Sequence, residues 1–151
     1  TWIDPRLRAA TRRVGRGRAL MHARKRFGEM IEPLLWVALG GAAGASARFL
    51  LSTLFFVPGQ FPWPTLVINI AGSLGIGVLW GLFGQHGWFE SWGRYLLIVG
   101  FLGGFTTFSA FSLETVGLVE GGRTEAAISY VAVSLIGCVF AAWLGQRLSS
   151  G

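Results

Sequence analysis

Four long stretches without a charged residue constrain the fold of this chain more than any other feature. They cover residues 33–47, 49–89, 95–113 and 126–146. A helix that crosses the hydrocarbon core of a bilayer needs about 20 predominantly apolar residues. The longest stretch has 41 residues and is divided by a proline-rich turn segment, residues 58–64. The pattern therefore predicts four membrane-spanning helices.

We predict an all-α integral membrane protein whose transmembrane helices lie near residues 34–57, 65–85, 94–118 and 125–148. The connecting segments are short, so consecutive helices run antiparallel. The composition agrees with this fold, because 52% of the residues are hydrophobic and only 13% are charged. That charged share is about half of what a soluble domain carries.

Basic residues are concentrated before the first predicted helix. Residues 1–33 contain nine Lys or Arg and three acids, which account for the whole formal charge of +6. We expect residues 1–30 to be a basic tail, either disordered or an extension left by an upstream start or by cloning. Residues 31–151 form the four-helix membrane domain, and Met30 would be a natural translation start. A basic tail before an apolar body favours cytoplasmic retention or anionic lipid over nucleic acid.

The sequence offers almost no candidates for catalysis. It contains no phosphate-binding loop, no H-E-x-x-H pair and no G-x-S-x-G nucleophile turn. His22 and His86 are isolated, and Cys138 is expected to be a small core residue in an apolar run. We therefore predict that the chain is not an enzyme and that it serves permeation or assembly in the membrane.

Neutral polar residues recur at helical spacing inside the predicted spans. Thr65, Asn69 and Ser73 share one face of the second helix, and Tyr130 and Ser134 repeat the spacing in the fourth. Each hydroxyl or amide alone is usually satisfied by its own helix or by a neighbour. Together these residues form a dilute row of hydrogen-bond donors.

The first and third helices each carry a feature that is costly in lipid. Arg48 lies about two-thirds along the first helix, where it costs at least ~2.5 kcal/mol unless it is paired, solvated or snorkelling from a helix end. Two glycines and two threonines within residues 103–107 make a poor helix centre. A break at this point would free backbone carbonyls, which is tolerated only where protein or an ion satisfies them.

Three segments resemble the signature of the Fluc (CrcB) fluoride channel family. They are G-A-S-A-R at 44–48, T-L-V-I-N-I-A-G-S at 65–73 and G-F-L-G-G-F-T-T-F-S-A-F-S-L-E at 100–114. The resemblance covers roughly residues 34–148 and implies a channel that passes fluoride passively across the plasma or inner membrane, lowers cytoplasmic fluoride and confers fluoride resistance. It also implies an antiparallel, dual-topology homodimer, in which an inverted second copy completes two pores and a structural sodium ion lies at the interface.

The resemblance further implies roles for individual residues. Gly103 and Thr106 correspond to the residues whose backbone carbonyls hold sodium, and Arg48 and Glu114 match other intramembrane polar positions. Ala110 departs from the family pattern, which commonly has Thr there. The residues implied for the fluoride pathway are Asn69, Phe108, Phe111, Thr65, Ser134, Tyr130 and Ser112.

Two other functions remain open from the sequence. A small multidrug-type, proton-coupled exporter also has four helices, but it resembles carriers with a buried Glu in the first helix. This first helix has only Glu32 at its mouth, and Glu114 could act only from the third helix. A membrane assembly subunit without transport activity is the other alternative, because glycine-rich helices would suffice for it.

The charge of the tail bears on the expected dual topology, which requires nearly equal Lys and Arg on the two sides. If translation starts at Met30, Arg94 and Arg147 lie on one side and Arg123 on the other. Residues 1–29 would add nine basic residues to the first side and hold it in the cytoplasm. We therefore expect that the tail is absent in the cell, or that the chain inserts one way and pairs with an inverted paralogue.

Overall fold

A computed structural model of the chain describes residues 5–55 and 60–150, with the backbone alone for residues 5–24 and 27. Every regular element in these residues is a helix. The chain divides into two compact units, residues 1–35 and 36–151, which are described separately. The helices are α1 (Pro5–Phe55), α2 (Trp63–Phe83), α3 (Phe89–Leu102), α4 (Gly103–Phe105), α5 (Phe108–Glu120) and α6 (Thr124–Ser149).

The N-terminal unit is helical from Pro5 onward, as the first part of α1. The expectation that residues 1–30 form a tail, either disordered or an extension, stays a prediction, and residues 1–4 lie outside the described residues. The helix from Pro5 agrees with local propensity, because Ala, Arg and Leu are good helix formers and proline suits a first helical position. Lys25 and Glu29, one turn apart, form an exposed ion pair at 3.8 Å.

In the part of the chain that the structure describes, four helical segments are long and apolar enough to cross a membrane, which confirms the prediction of four spans. The third span begins at Phe89, earlier than the predicted start near residue 94, because Phe89 packs on Trp80 and Phe83 despite the charge of Glu90. The end predicted for the first helix, residue 57, lies outside the described residues. The segments are Gly28–Phe55, Trp63–Phe83, Phe89–Glu120 and Thr124–Ser149.

The third span changes its winding along its length. α3 is a π-helix, and at its end the Gly103 N–H still donates to the Ile98 carbonyl, five residues earlier. The short α4 follows, and then Thr106 and Thr107 adopt extended conformations, with φ −83° and ψ 157° at the former and φ −151° and ψ 119° at the latter. The chain becomes helical again at Phe108. The interruption therefore falls within the predicted interval, residues 103–107.

Glycines allow the helices of the second unit to approach with their backbones in contact. A Cβ on Gly44 of α1 would collide with the Phe101 carbonyl of α3, and one on Gly77 of α2 would collide with the Ala142 carbonyl of α6. Small residues at such points permit close packing without polar side chains. Two helix pairs, α1 with α3 and α2 with α6, are thereby held at short distance.

A buried apolar cluster joins α2, α5 and α6. Tyr130 is fully buried at its centre, and its ring contacts Phe111 with the ring centroids 5.1 Å apart. This cluster fixes α5 against the polar faces of α2 and α6. The remaining members are Leu66, Leu118 and Ala127.

Candidate functional site

The interruption of the third span is held by the side chain of Asn69 on α2. Its Nδ2 donates to the Thr107 carbonyl at 3.0 Å, and its Oδ1 accepts from the Thr107 N–H at 2.8 Å. One amide thus pairs with both backbone groups of a residue that has left the helix. The amide nitrogen carries two hydrogens, so a second donor remains after the bond to Thr107.

Arg48 of α1 satisfies another carbonyl next to the interruption. Its Nε donates to the Gly104 carbonyl at 3.1 Å. In a continuous α-helix that carbonyl would accept from the residue four positions later. The Gly104 carbonyl is therefore a hydrogen-bond partner for Arg48, which would be costly inside a membrane without one.

The carbonyls of Gly103 and Thr106 lose their usual helical donors. In a continuous helix the Thr107 N–H would donate to the Gly103 carbonyl, but here it donates to Asn69. Likewise, the Ala110 N–H would donate to the Thr106 carbonyl, but here it donates to the Thr107 Oγ1 at 3.2 Å. Gly103 is also exposed on the surface of the chain. Both freed carbonyls are oxygen ligands of the kind that hard cations prefer. They fit a sodium ion in donor chemistry, whereas the described residues contain no cluster of His, Cys, Asp or Glu for another metal.

A groove of about 240 Å³ runs beside the interruption, between α2, α5 and α6. We call it the Ser134 groove. Ser134 is only 6% exposed, and its Oγ has no hydrogen-bond partner among the described residues. A buried polar atom without a partner is uncommon in folded proteins, and a bound group that the described residues do not supply is one explanation for it. The groove is lined by Asn69, Ser73, Ile76, Thr106, Thr107, Phe108, Phe111, Ser134, Leu135, Cys138 and Val139.

Two phenylalanines of α5 form one wall of the Ser134 groove. The ring centroids of Phe108 and Phe111 are 5.2 Å apart, and the rings are tilted by 44°. Phe111 is buried, whereas Phe108 is 72% exposed on the described chain. The edge of an aromatic ring is electropositive, so such rings can face an anion without carrying a formal charge.

A second cavity, of about 510 Å³, lies around Glu114 and includes Arg48 and Arg123 in its lining. Thr65 donates to the Glu114 Oε1 and Tyr130 to its Oε2, each at 2.6 Å. Three helices therefore meet at one carboxylate. Both hydroxyls are engaged by Glu114 in this structure, unlike that of Ser134.

The structure brings together part of the set that the resemblance implied for the fluoride pathway. Asn69, Phe108, Phe111 and Ser134 line the same groove. Thr65 and Tyr130 lie at Glu114, as described above. Ser112 is brought to neither place, because its hydroxyl donates to the Phe108 carbonyl of its own helix at 2.9 Å. Its role in the pathway stays a prediction without a contact that favours it.

Two residues of this region were not assigned to the site from the sequence. The Thr107 backbone accepts from Asn69 and donates to it, and the Thr107 hydroxyl caps α5 by accepting from the Ala110 N–H. Cys138 lines the Ser134 groove instead of the core in which we expected it. The helical spacing of Tyr130, Ser134 and Cys138 was a signal that could have placed the thiol on the polar face.

These features define a small polytopic membrane protein of the transport class. They are the interrupted helix, the side chains that brace it and the neutral groove. The sequence model of a family described as "CrcB-like protein, Camphor Resistance (CrcB)" matches residues 35–146. The chain therefore belongs to the CrcB family, whose named relatives are ion channels and not enzymes.

Several relatives carry the name fluoride-specific ion channel FluC. The protein of Methylobacillus flagellatus is 44% identical over 118 residues, which are 76% of this chain and 92% of the relative. Those of Magnetococcus marinus and Pseudomonas fluorescens are both 45% identical, over 114 and 122 residues. These matches cover 74% and 80% of this chain, and 93% and 98% of the relatives. The names do not favour an exporter or an assembly subunit.

Proposed function

We propose that this chain is a fluoride-specific ion channel that lets fluoride cross the membrane passively. The observation that carries the proposal is the Ser134 hydroxyl, which is buried, unpartnered among the described residues and located in one groove with Asn69 and Phe108. The names of the relatives give the same function. A cell with a negative interior would use such a channel to expel fluoride.

The chemistry of the groove suits a small anion that holds its water tightly. A pore must replace that hydration with compact donors, but full positive charges would bind the ion too firmly for release. The Ser134 hydroxyl, the second amide hydrogen of Asn69 and the edges of the two phenylalanine rings are all neutral. Glu114 lies outside this groove and accepts the hydroxyls of Thr65 and Tyr130, so these two hydroxyls are not free donors for the anion in this structure.

The proposed assembly is an inverted dimer with sodium at its interface. The exposed Phe108 and the exposed, freed carbonyl of Gly103 support it, because both lie open on one chain and a second copy would cover them. Gly103 and Thr106 supply two carbonyls per chain, fewer than the usual oxygen ligands of a hard cation. When bound, sodium would compensate the freed carbonyls of both interrupted helices. The plasma or inner membrane is the proposed location.

Fluoride efflux from liposomes tests the function directly. The purified chain is reconstituted into liposomes that contain potassium fluoride. A potassium ionophore lets potassium leave with the anion, so that no opposing membrane potential builds up, and a fluoride-selective electrode records release. A chloride-loaded sample in the same lipid serves as the matched control. We expect fluoride release without chloride release, and equal release of both ions would refute fluoride selectivity.

A further inference from the structure

Cys138 is the only cysteine of the chain, and it lies in the Ser134 groove. It follows Ser134 by one turn of α6, so the thiol and the hydroxyl are on the same side of the helix. Cys138 is partly exposed. The groove thus contains one reactive group that the proposed passage of fluoride does not use.

The Ser134 hydroxyl, which also supports the proposed function, favours a groove that accepts a guest. It is 6% exposed and has no hydrogen-bond partner in the described part of the chain. Phe108 and Phe111 form an apolar wall opposite α6. A small group that enters to reach Ser134 therefore also comes near the thiol.

We propose that Cys138 is a covalent binding site for soft, thiophilic metal ions, and that a metal bound there blocks the groove to fluoride. The blocking effect rests on the proposed function. Thiolate is the ligand that soft metal ions prefer, and it binds them with loss of its proton. With mercuric chloride, the S–H bond and one Hg–Cl bond break, an S–Hg bond forms, and the proton and one chloride pass to water, with no change in oxidation state.

A metal fixed one helical turn from Ser134 stops passage for two reasons. It occupies space in a groove of about 240 Å³. Bound mercury is also a Lewis acid among neutral donors, and a site that binds an anion strongly does not release it. The block is therefore a consequence of position within the groove, not of metal binding to the surface.

Mercuric chloride added to the liposome efflux assay is the test, because this neutral salt crosses lipid and reaches the thiol from either side. We expect fluoride release by the unsubstituted chain to fall to the rate of protein-free liposomes and to recover with dithiothreitol. Cys138→Ser should retain its release under the same treatment. Mass spectrometry should find one mercury per chain in the first protein and none in the second.

A matched control places a cysteine elsewhere on the same helix. Ile136 is 71% exposed and does not line the groove. The double variant Cys138→Ser, Ile136→Cys should bind mercury and continue to release fluoride. If this control is blocked as well, the effect is not specific to the groove and the proposal is overturned.

The outcomes separate this inference from the proposed function. No fluoride release before mercury is added would refute the channel function itself. Normal release that continues after stoichiometric labelling of Cys138 would overturn the inference and leave the channel function intact. Equal inhibition of Cys138→Ser would also overturn it.

Discussion

Replacing Asn69 by leucine removes the side-chain brace of the interrupted helix while it keeps a side chain of similar size. Both hydrogen bonds to Thr107 are lost, one of 3.0 Å and one of 2.8 Å. The Thr107 N–H and carbonyl then have no partner in a partly buried, apolar setting. The change therefore tests whether Asn69 holds the backbone in addition to facing the groove.

The magnitude follows from the two backbone groups left unpaired. A buried group that loses its partner costs ~1–3 kcal/mol, which gives a loss of about 2–6 kcal/mol for the pair. Hydrogen bonds measured inside a membrane protein average only ~0.6 kcal/mol, which gives about 1 kcal/mol as a lower limit. We expect Asn69→Leu to lower the free energy of unfolding by an amount within these limits and to abolish fluoride release.

Unfolding in mixed micelles, at one fixed protein concentration, measures this loss. Asn69→Asp, when ionised, keeps an acceptor for the Thr107 N–H, so it should lose less stability than leucine does. Its carboxylate lacks the amide donor and repels fluoride, so release should still fail. Ser73→Ala is the control, because it removes a hydroxyl one turn later on α2 without affecting the Thr107 bonds.

A loss of stability below about 0.5 kcal/mol in Asn69→Leu would refute the reasoning, since that is the range of ordinary surface substitutions. Fluoride release at the unsubstituted rate by the same variant would refute the role of Asn69 in the groove. The two results are independent, so the bracing role and the conducting role can fail separately.

Three further changes are expected to have distinct effects. Phe108→Ile or Phe111→Ile should abolish fluoride release without loss of assembly, because each removes a ring edge and keeps an apolar side chain; efflux and size-exclusion chromatography measure these effects. Gly44→Ala should destabilise the fold by roughly 1–3 kcal/mol, the typical cost of overpacking, because its Cβ would collide with the Phe101 carbonyl. Reporter fusions at the C-terminus should show both orientations without residues 1–29 and one orientation with them, because those residues add nine positive charges to one side.

Each of these expectations has an outcome that contradicts it. Undiminished release by either phenylalanine variant would assign that ring to packing alone. A Gly44→Ala protein as stable as the original would mean that α1 can move away from α3 at no cost. A short chain found in a single orientation would exclude the inverted dimer of identical copies.

The spans and the interruption were predictable because both depend on local sequence. Charges delimit the apolar stretches, and two glycines and two threonines within residues 103–107 disfavour a helix wherever they lie. The start of the third span was less predictable, since Phe89 joins the helix through contacts with rings of α2. The intrinsic helix propensity of a residue carries no information about such tertiary contacts.

The candidate site was predictable only as a set of residue types. Helical spacing placed Thr65 and Asn69 on one face, but it could not show that Thr65 bonds to Glu114 whereas Asn69 bonds to the backbone of Thr107. Those partners are 49 and 38 residues away in the chain. Cys138 was assigned to the core because it was judged as an isolated cysteine in an apolar run, without regard to its helical spacing from Tyr130 and Ser134.

The braces of the interrupted helix have a consequence for gating. Arg48 comes from α1 and Asn69 from α2, and together they make three hydrogen bonds to the backbone of Gly104 and Thr107. At about 1 kcal/mol each, breaking all three at once would be confined to roughly one molecule in a hundred. The interruption is therefore a fixed part of the groove wall and not a moving gate. The proposed passage of fluoride beside it should not require this segment to refold or to leave its braces.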